Sequence, residues 1–167
     1  MSVSQQIEMH QRHDSDADNV QFLTFVLSNE EYGVDILRVQ EIKGWDSATP
    51  IPNTPDYIKG VINLRGTIVP VFDLRLRFNM PQIEYGVTTV VIVLKVESVR
   101  GDRIMGIVVD GVSEVYSVHP EAMKPSPDFG AKVSTDFIKG LVTVDDKMIT
   151  ILDIDQLLNE EVELQAS

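Results

Sequence analysis

Residues 56–76, D-Y-I-K-G-V-I-N-L-R-G-T-I-V-P-V-F-D-L-R-L, decide the fold of this chain. Two apolar runs rich in β-branched residues, Ile58 to Leu64 and Thr67 to Leu74, are separated by Arg65-Gly66. A short turn that contains glycine between two such runs predicts a β-hairpin.

The same stretch recurs 80 residues later without a gap. Residues 136–157 read D-F-I-K-G-L-V-T-V-D-D-K-M-I-T-I-L-D-I-D-Q-L. In both copies the first Asp is followed by an aromatic residue, Ile, Lys and Gly, at 57–60 and at 137–140. A repeat of this length within 167 residues predicts two similar halves, each with its own hairpin.

Composition limits the classes of protein to which the chain can belong. The formal charge of −12 opposes non-specific attraction to nucleic acid or anionic lipid. The absence of cysteine excludes disulfides and thiolate metal sites. No apolar run approaches the ~20 residues of a membrane-spanning helix, and the first 19 residues have no signal-peptide pattern. We expect a soluble, cytoplasmic protein without a cofactor.

The order of apolar runs and loops predicts an all-β protein. Residues 1–19 are polar and are expected to form a flexible arm, and residues 159–167 form an acidic tail. Between them, residues 20–158 divide into halves of roughly 20–85 and 86–158, with a strand free to cross over. Each half offers about five short strands, one proline-rich loop and a short helical turn. Short strands at this spacing predict two small closed barrels, packed together through the doubly apolar strand 87–96.

Catalytic and metal-binding motifs are absent from the sequence. It contains no G-x-S-x-G, P-loop or G-x-G-x-x-G pattern. His119, with Asp145 and Asp146 at the second hairpin tip, leaves a small metal-dependent hydrolase as a remote alternative. A barrel that binds nucleic acid is a second alternative, and the acidic charge disfavours it. Asp73 and Asp153 follow paired strands, where a capping role is favoured over acid–base chemistry.

Four segments, in order, resemble the CheW family of bacterial chemotaxis coupling proteins. They are E-E-Y-G-V-D-I-L-R-V-Q-E-I (30–42), P-D-Y-I-K-G-V-I-N-L-R-G-T-I-V-P-V-F-D-L-R (55–75), T-V-V-I-V-L (89–94) and G-I-V-V-D-G-V-S-E-V (106–115). The resemblance covers about residues 21–158. It implies two SH3-like five-stranded barrels with a hydrophobic groove between them. It also implies a non-catalytic adaptor that joins the cytoplasmic tip of a chemotaxis receptor to the histidine kinase CheA in membrane-associated arrays.

The resemblance also implies which residues contact the receptor, while the kinase-contact residues stay unassigned. The implied receptor-binding positions are Val39, Glu41, Arg65, Ile68, Val90 and Val112. The chain is expected to stay extended through Ile42, and strand alternation then places Val39 and Glu41 on one face. Gly60 and Gly66 match family glycines, which indicates a backbone requirement at each position.

Overall fold

The computed structural model describes residues 19–125 and 135–159, and these residues form an all-β fold, as predicted. The predicted arm, apart from Asn19, the second proline-rich loop from 126 onward, and the tail after 159 lie outside the described residues. No helix in the described ranges has the length and apolarity to span a bilayer. The strands are β1 (Val20–Leu27), β2 (Glu30–Asp35), β3 (Val39–Gly44), β4 (Ile58–Leu64), β5 (Thr67–Asp73), β6 (Val90–Val96), β7 (Arg103–Val109), β8 (Gly111–Val118), β9 (Ile138–Val144) and β10 (Lys147–Leu152).

The ten strands form two five-stranded sheets. The first sheet has the order β8-β1-β2-β10-β9, and the second has the order β3-β6-β7-β5-β4. The prediction that each barrel closes through strand pairing is wrong. The outer side of β4 is hydrogen-bonded to Thr49 of the first proline-rich loop, and that of β9 to Lys124 of the second. The proline-rich loops therefore occupy positions on these edges that a closing strand would need.

Each sheet contains strands from both halves of the chain. β1 and β2 join β8, β9 and β10, whereas β6 and β7 join β3, β4 and β5. The exchange is completed by two parallel pairs, β2 with β10 and β5 with β7. A boundary near residue 85 therefore does not separate the sheets, and the crossing that the sequence left open involves two strands of each half.

The two hairpins have the same register, which confirms the predicted repeat. Ile58 pairs with Phe72 and Ile138 pairs with Leu152, and the same register shift follows each pair. The burial patterns of residues 61–70 and 141–150 are identical. The two hairpins therefore have the same geometry, each at one end of its sheet.

The apolar side chains form one large core between the sheets and a smaller cluster within each sheet. We call the large cluster the shared core; among its most buried side chains are Leu23, Phe25, Leu27, Ile92, Leu94 and Ile107. Along β6, Ile92 and Leu94 pack into the shared core, whereas Val91 and Val93 pack within the second sheet. This alternation confirms that the strand is buried on both faces.

Short helices follow both hairpins, as the sequence predicts. α1 (Leu74–Arg77) follows β5, and α2 (residues 154–159) follows β10. Asp73 accepts a hydrogen bond from the Leu76 amide at 3.1 Å, and Asp153 accepts one from the Gln156 amide at 3.1 Å. Each carboxylate satisfies an amide that the first helical turn leaves unpaired, so the predicted capping role is confirmed.

Candidate interaction surface

The tip of the first hairpin contacts the edge strand β3. Arg65 Nη2 lies 2.9 Å from Glu41 Oε2, and Arg65 Nη1 lies 3.4 Å from Glu41 Oε1. The Arg65 side chain is 75% exposed and that of Glu41 is 29% exposed. The hydrogen bonds to Glu41 raise the pKa of Arg65 further above its ordinary value. The structure thus joins two of the predicted site residues in one ion pair between the β4–β5 turn and the edge strand β3.

The backbone of the tip presents Arg65 to solvent. Arg65 and Gly66 have φ values of 51° and 90°, the left-handed conformation that tight hairpin turns require at both central residues. The Gly66 amide donates to Asn63 Oδ1 at 2.8 Å, which pins the turn from within. The arginine side chain is therefore directed by a turn that its own neighbours hold in shape.

Val39 and Glu41 lie on opposite faces of the sheet, so the prediction that they share a face is wrong. A register shift between them places Val39 opposite Leu94 and Glu41 opposite Val93, which are consecutive residues of β6. The chain is also not extended throughout, because Ile36–Arg38 form a 3-10 helix before β3. Asp35 caps this helix by accepting from the Leu37 amide at 2.9 Å.

Three of the predicted apolar residues line the rim of the shared core. Val39, Val90 and Val112 are half-buried, and each packs against the shared core. Ile68 differs, because 60% of its surface is exposed on β5, where it pairs with Asn63 near the hairpin tip. The six predicted residues thus supply one exposed ion pair, one exposed apolar side chain and three half-buried valines.

The second hairpin tip has a different charge. Asp145 and Asp146 occupy it, with φ values of 51° and 63°. Glu114, 73 residues after Glu41, accepts a hydrogen bond from Tyr116. Burial, then this hydrogen bond and the nearby acidic groups, raises the pKa of Tyr116. Where the first half has Arg65 and Glu41, the corresponding residues of the second half, Asp145 and Glu114, are both acidic.

The residues that left a metal-dependent hydrolase open do not assemble a site in the described ranges. His119, Asp145 and Asp146 are exposed, and no group of three or more acidic or histidine side chains in the described ranges could hold a metal ion. The aromatic rings of Phe25 and Tyr32 are buried in the shared core, where they cannot stack on bases. His10 and His13, whose spacing of three residues is only weak evidence for a metal site, lie outside the described residues.

Sequence reasoning missed two part-buried ion pairs. Arg38 donates to both oxygens of Asp155 at 2.8 and 2.7 Å, and Arg75 Nε donates to Asp110 at 2.8 Å. Hydrogen bonding to the partner aspartate raises the pKa of each arginine. Arg75 and Asp155 occupy equivalent positions of the 80-residue repeat with opposite charges, which was the available signal.

Trp45 packs edge-on against Tyr85 with ring centroids 4.8 Å apart. Both rings border the apolar cluster within the second sheet. The Tyr85 hydroxyl donates to buried Asp73, the residue that caps α1. The Trp45–Tyr85 pair therefore covers this apolar cluster and packs the loop before β6 against the second sheet.

Comparison with known proteins agrees with this architecture. The family model described as "CheW-like domain" matches residues 21–162. The chain is 50% identical over 141 residues to the chemotaxis protein CheW of Klebsiella aerogenes, a match that covers 84% of this chain and 82% of that protein. It is 31% identical over 140 residues to the chemotaxis protein CheW of Bacillus subtilis, with 83% and 86% covered.

A solved structure extends the likeness from sequence to fold. The crystal structure of a scaffolding protein, TtCheW from Thermoanaerobacter tengcongensis, is similar with a TM-score of 0.76 and 34% identity. The match covers 87% of this chain and 91% of that one. The family model, the sequence identities and the structural likeness together show that this chain belongs to the CheW family.

Proposed function

We propose that this chain is a non-catalytic adaptor that couples the cytoplasmic tip of a methyl-accepting chemotaxis receptor to the histidine kinase CheA. The observation that carries the proposal is the family match over residues 21–162. The protein would work in the cytoplasm and be recruited to membrane-associated receptor arrays through these two partners.

The receptor-binding surface in this proposal consists of Val39, Glu41, Arg65, Ile68, Val90 and Val112. The half-buried valines and exposed Ile68 offer apolar area whose removal from water supplies affinity. The Arg65–Glu41 pair supplies orientation, because an exposed charge pair steers and registers a partner more than it adds binding energy. Apolar surface rimmed by charged groups is typical of a protein interface.

A reconstitution experiment tests the proposal. The chain, a receptor cytoplasmic fragment and CheA are mixed, and complex formation and kinase activity are measured. The adaptor should bind each partner separately and join both in one complex, and by itself it should hydrolyse no ATP. Failure to bind either partner at micromolar concentration would refute the proposal.

Matched substitutions at the two hairpin tips test the placement of the surface. Arg65→Ala should weaken receptor binding by about thirtyfold, since truncation of an interface arginine is a frequent hot spot. Asp145→Ala, at the equivalent position of the second hairpin, should leave receptor affinity unchanged. Both variants should retain the parent's circular dichroism. Equal losses from the two changes would contradict the assignment to the first tip.

A further inference from the structure

The chain crosses between the two sheets at two points, and each crossing carries one member of a part-buried ion pair. The first crossing is the 3-10 helix Ile36–Arg38, between β2 and β3. The second is Asp110, the one residue between β7 and β8. The gap at 126–134 separates β8 from β9, which belong to the same sheet. Arg38 and Asp110 are therefore located where the chain changes sheets.

The pair at the first crossing joins elements of both sheets. Arg38 donates two hydrogen bonds to Asp155 in α2, and its Nη1 also donates to the Lys95 carbonyl of β6 at 3.1 Å. Asp155 Oδ1 accepts a further bond from the Glu97 amide at 2.8 Å. Since α2 follows β10 of the first sheet and β6 lies in the second, this network spans the sheets.

The pair at the second crossing does the same with reversed polarity. Asp110 accepts from Arg75 in α1, which follows β5 of the second sheet. Asp110 Oδ2 also accepts from the Ser28 amide at 2.9 Å, in the turn between β1 and β2 of the first sheet. Arg75 Nη1 donates to the Pro81 carbonyl at 2.7 Å. Here the crossing supplies the acid and the helix supplies the arginine.

Directional contacts at these points supply what the shared core does not. Apolar packing is non-directional, so it favours contact between the sheets without selecting one angle. The two parallel bonds from Arg38 to Asp155 have a fixed planar geometry. Arg75 reaches both oxygens of Asp110 through Nε, at 2.8 and 3.1 Å. The side chains of Arg38 and Arg75 are 18% and 12% exposed, so salt screens these pairs less than it screens surface pairs.

The two crossings lead directly into the proposed receptor surface. Val39 follows Arg38, and Val112 lies two residues after Asp110. Both valines pack at the rim of the shared core. We propose that the Arg38–Asp155 and Arg75–Asp110 pairs are positioning pairs, which fix the angle between the sheets and thereby the spacing of Val39 and Val112. The consequence for receptor binding rests on the proposed function.

A distance measurement tests the angle without any partner. Because the chain has no cysteine, Thr67→Cys and Lys147→Cys place two spin labels at exposed, equivalent positions on β5 and β10, in different sheets. Pulsed electron–electron double resonance should give a narrow distribution of distances between the two labels in the parent. Asp155→Asn and Asp110→Asn should each broaden or shift it, while circular dichroism shows intact strands.

Two further variants separate positioning from general destabilisation. Asp102→Asn removes the Lys95–Asp102 pair, 3.2 Å long, exposed, and confined to one sheet, so it should leave the distribution unchanged. Asp155→Glu keeps the charge and should restore a distribution narrower than that of Asp155→Asn. Parent-like distributions in both asparagine variants would overturn the proposal. So would equal broadening by Asp102→Asn, or unfolding by Asp155→Asn that Asp155→Glu does not relieve.

Receptor binding is measured on the unlabelled chain. Asp155→Asn and Asp110→Asn should weaken binding of a receptor cytoplasmic fragment by about tenfold, within the usual range of coupling between separate sites. If the parent itself binds no receptor, the proposed function fails while the distance result still decides the positioning of the sheets. If the parent binds the receptor fragment, and Asp155→Asn and Asp110→Asn broaden the distance distribution but bind it equally well, the proposed effect of the positioning pairs on receptor binding is overturned.

Discussion

Replacement of Gly60 by alanine should be among the most damaging single-methyl additions in this protein. Gly60 has a φ of 131°, and a Cβ at this residue would lie 2.0 Å from the Thr49 carbonyl oxygen. That oxygen accepts the Val61 amide at 2.9 Å, so it belongs to the bridge that covers the edge of β4. The clash is with backbone, which a rotamer change cannot relieve.

The expected magnitude has two parts. An alanine in a conformation that essentially only glycine adopts costs about 1–3 kcal/mol. Displacement of the Thr49 segment adds a steric cost of about 1–3 kcal/mol. The sum, about 2–6 kcal/mol, is a large fraction of the about 5–15 kcal/mol by which folded domains are stable. For a chain of this size, it corresponds to a fall in melting temperature of roughly 5–20 °C.

Two other glycines separate the contributions of strain and clash. Gly66 has a φ of 90°, and a methyl group added there would have no neighbouring atom within 4 Å, so Gly66→Ala should show the backbone strain alone. Gly44 has neither a positive φ nor a neighbour within 4 Å, so Gly44→Ala should leave the melting temperature unchanged or slightly raised. In calorimetric melts, the melting temperature of Gly60→Ala should be well below that of Gly66→Ala, which in turn should be below that of Gly44→Ala. Equal melting temperatures for Gly60→Ala and Gly66→Ala would refute the argument from the clash.

Two further predictions concern stability. In a urea titration, Ile92→Ala within the shared core should lower the free energy of unfolding by about 2–5 kcal/mol. The exposed Ile68→Ala should change it by less than about 0.5 kcal/mol, and similar costs for the two variants would contradict the assigned core. Burial, then the hydrogen bond to Asp73, raises the pKa of Tyr85 above its ordinary 10.0. Because the folded state favours the neutral phenol, this stabilisation is complete below about pH 10 and declines as the pH rises further. Thermal melts at increasing pH should therefore show a steeper decline for the parent than for Tyr85→Phe, and parallel declines would disprove the assignment.

Features set by neighbouring residues were predictable from the sequence. The hairpins follow from apolar runs flanking Arg65-Gly66 and Asp145-Asp146, and the helix caps follow from Asp73 and Asp153. Each cap bonds an amide three residues along the chain, and each hairpin joins its strands through a two-residue turn, so the local sequence specifies these features.

Features that depend on distant partners were not predictable. The parallel pairing of Glu31 with Ile149 joins opposite ends of the chain, and no local pattern specifies which sheet receives β2. The register shift at Val39 reversed a face assignment that simple alternation gave, because one extra residue in a strand flips the faces beyond it. Arg38 and Asp155 are 117 residues apart in sequence, so only the fold reveals their contact.

The exchange of strands between the halves also determines when each strand can pair during synthesis of the chain. β1 can form its hairpin with β2 early, but Val115, the neighbour of Leu23 on its other side, is made 92 residues later. At a ribosomal rate of about 5–20 residues per second, the β1 edge waits roughly 5–20 s for that partner. Leu23, Phe25 and Leu27, which end fully buried, spend this interval without β8, while the strands of the second sheet are still being made up to Val109. The nascent chain therefore passes through a period in which the apolar face of its first hairpin is open to chaperones and to the same hairpin on neighbouring nascent chains.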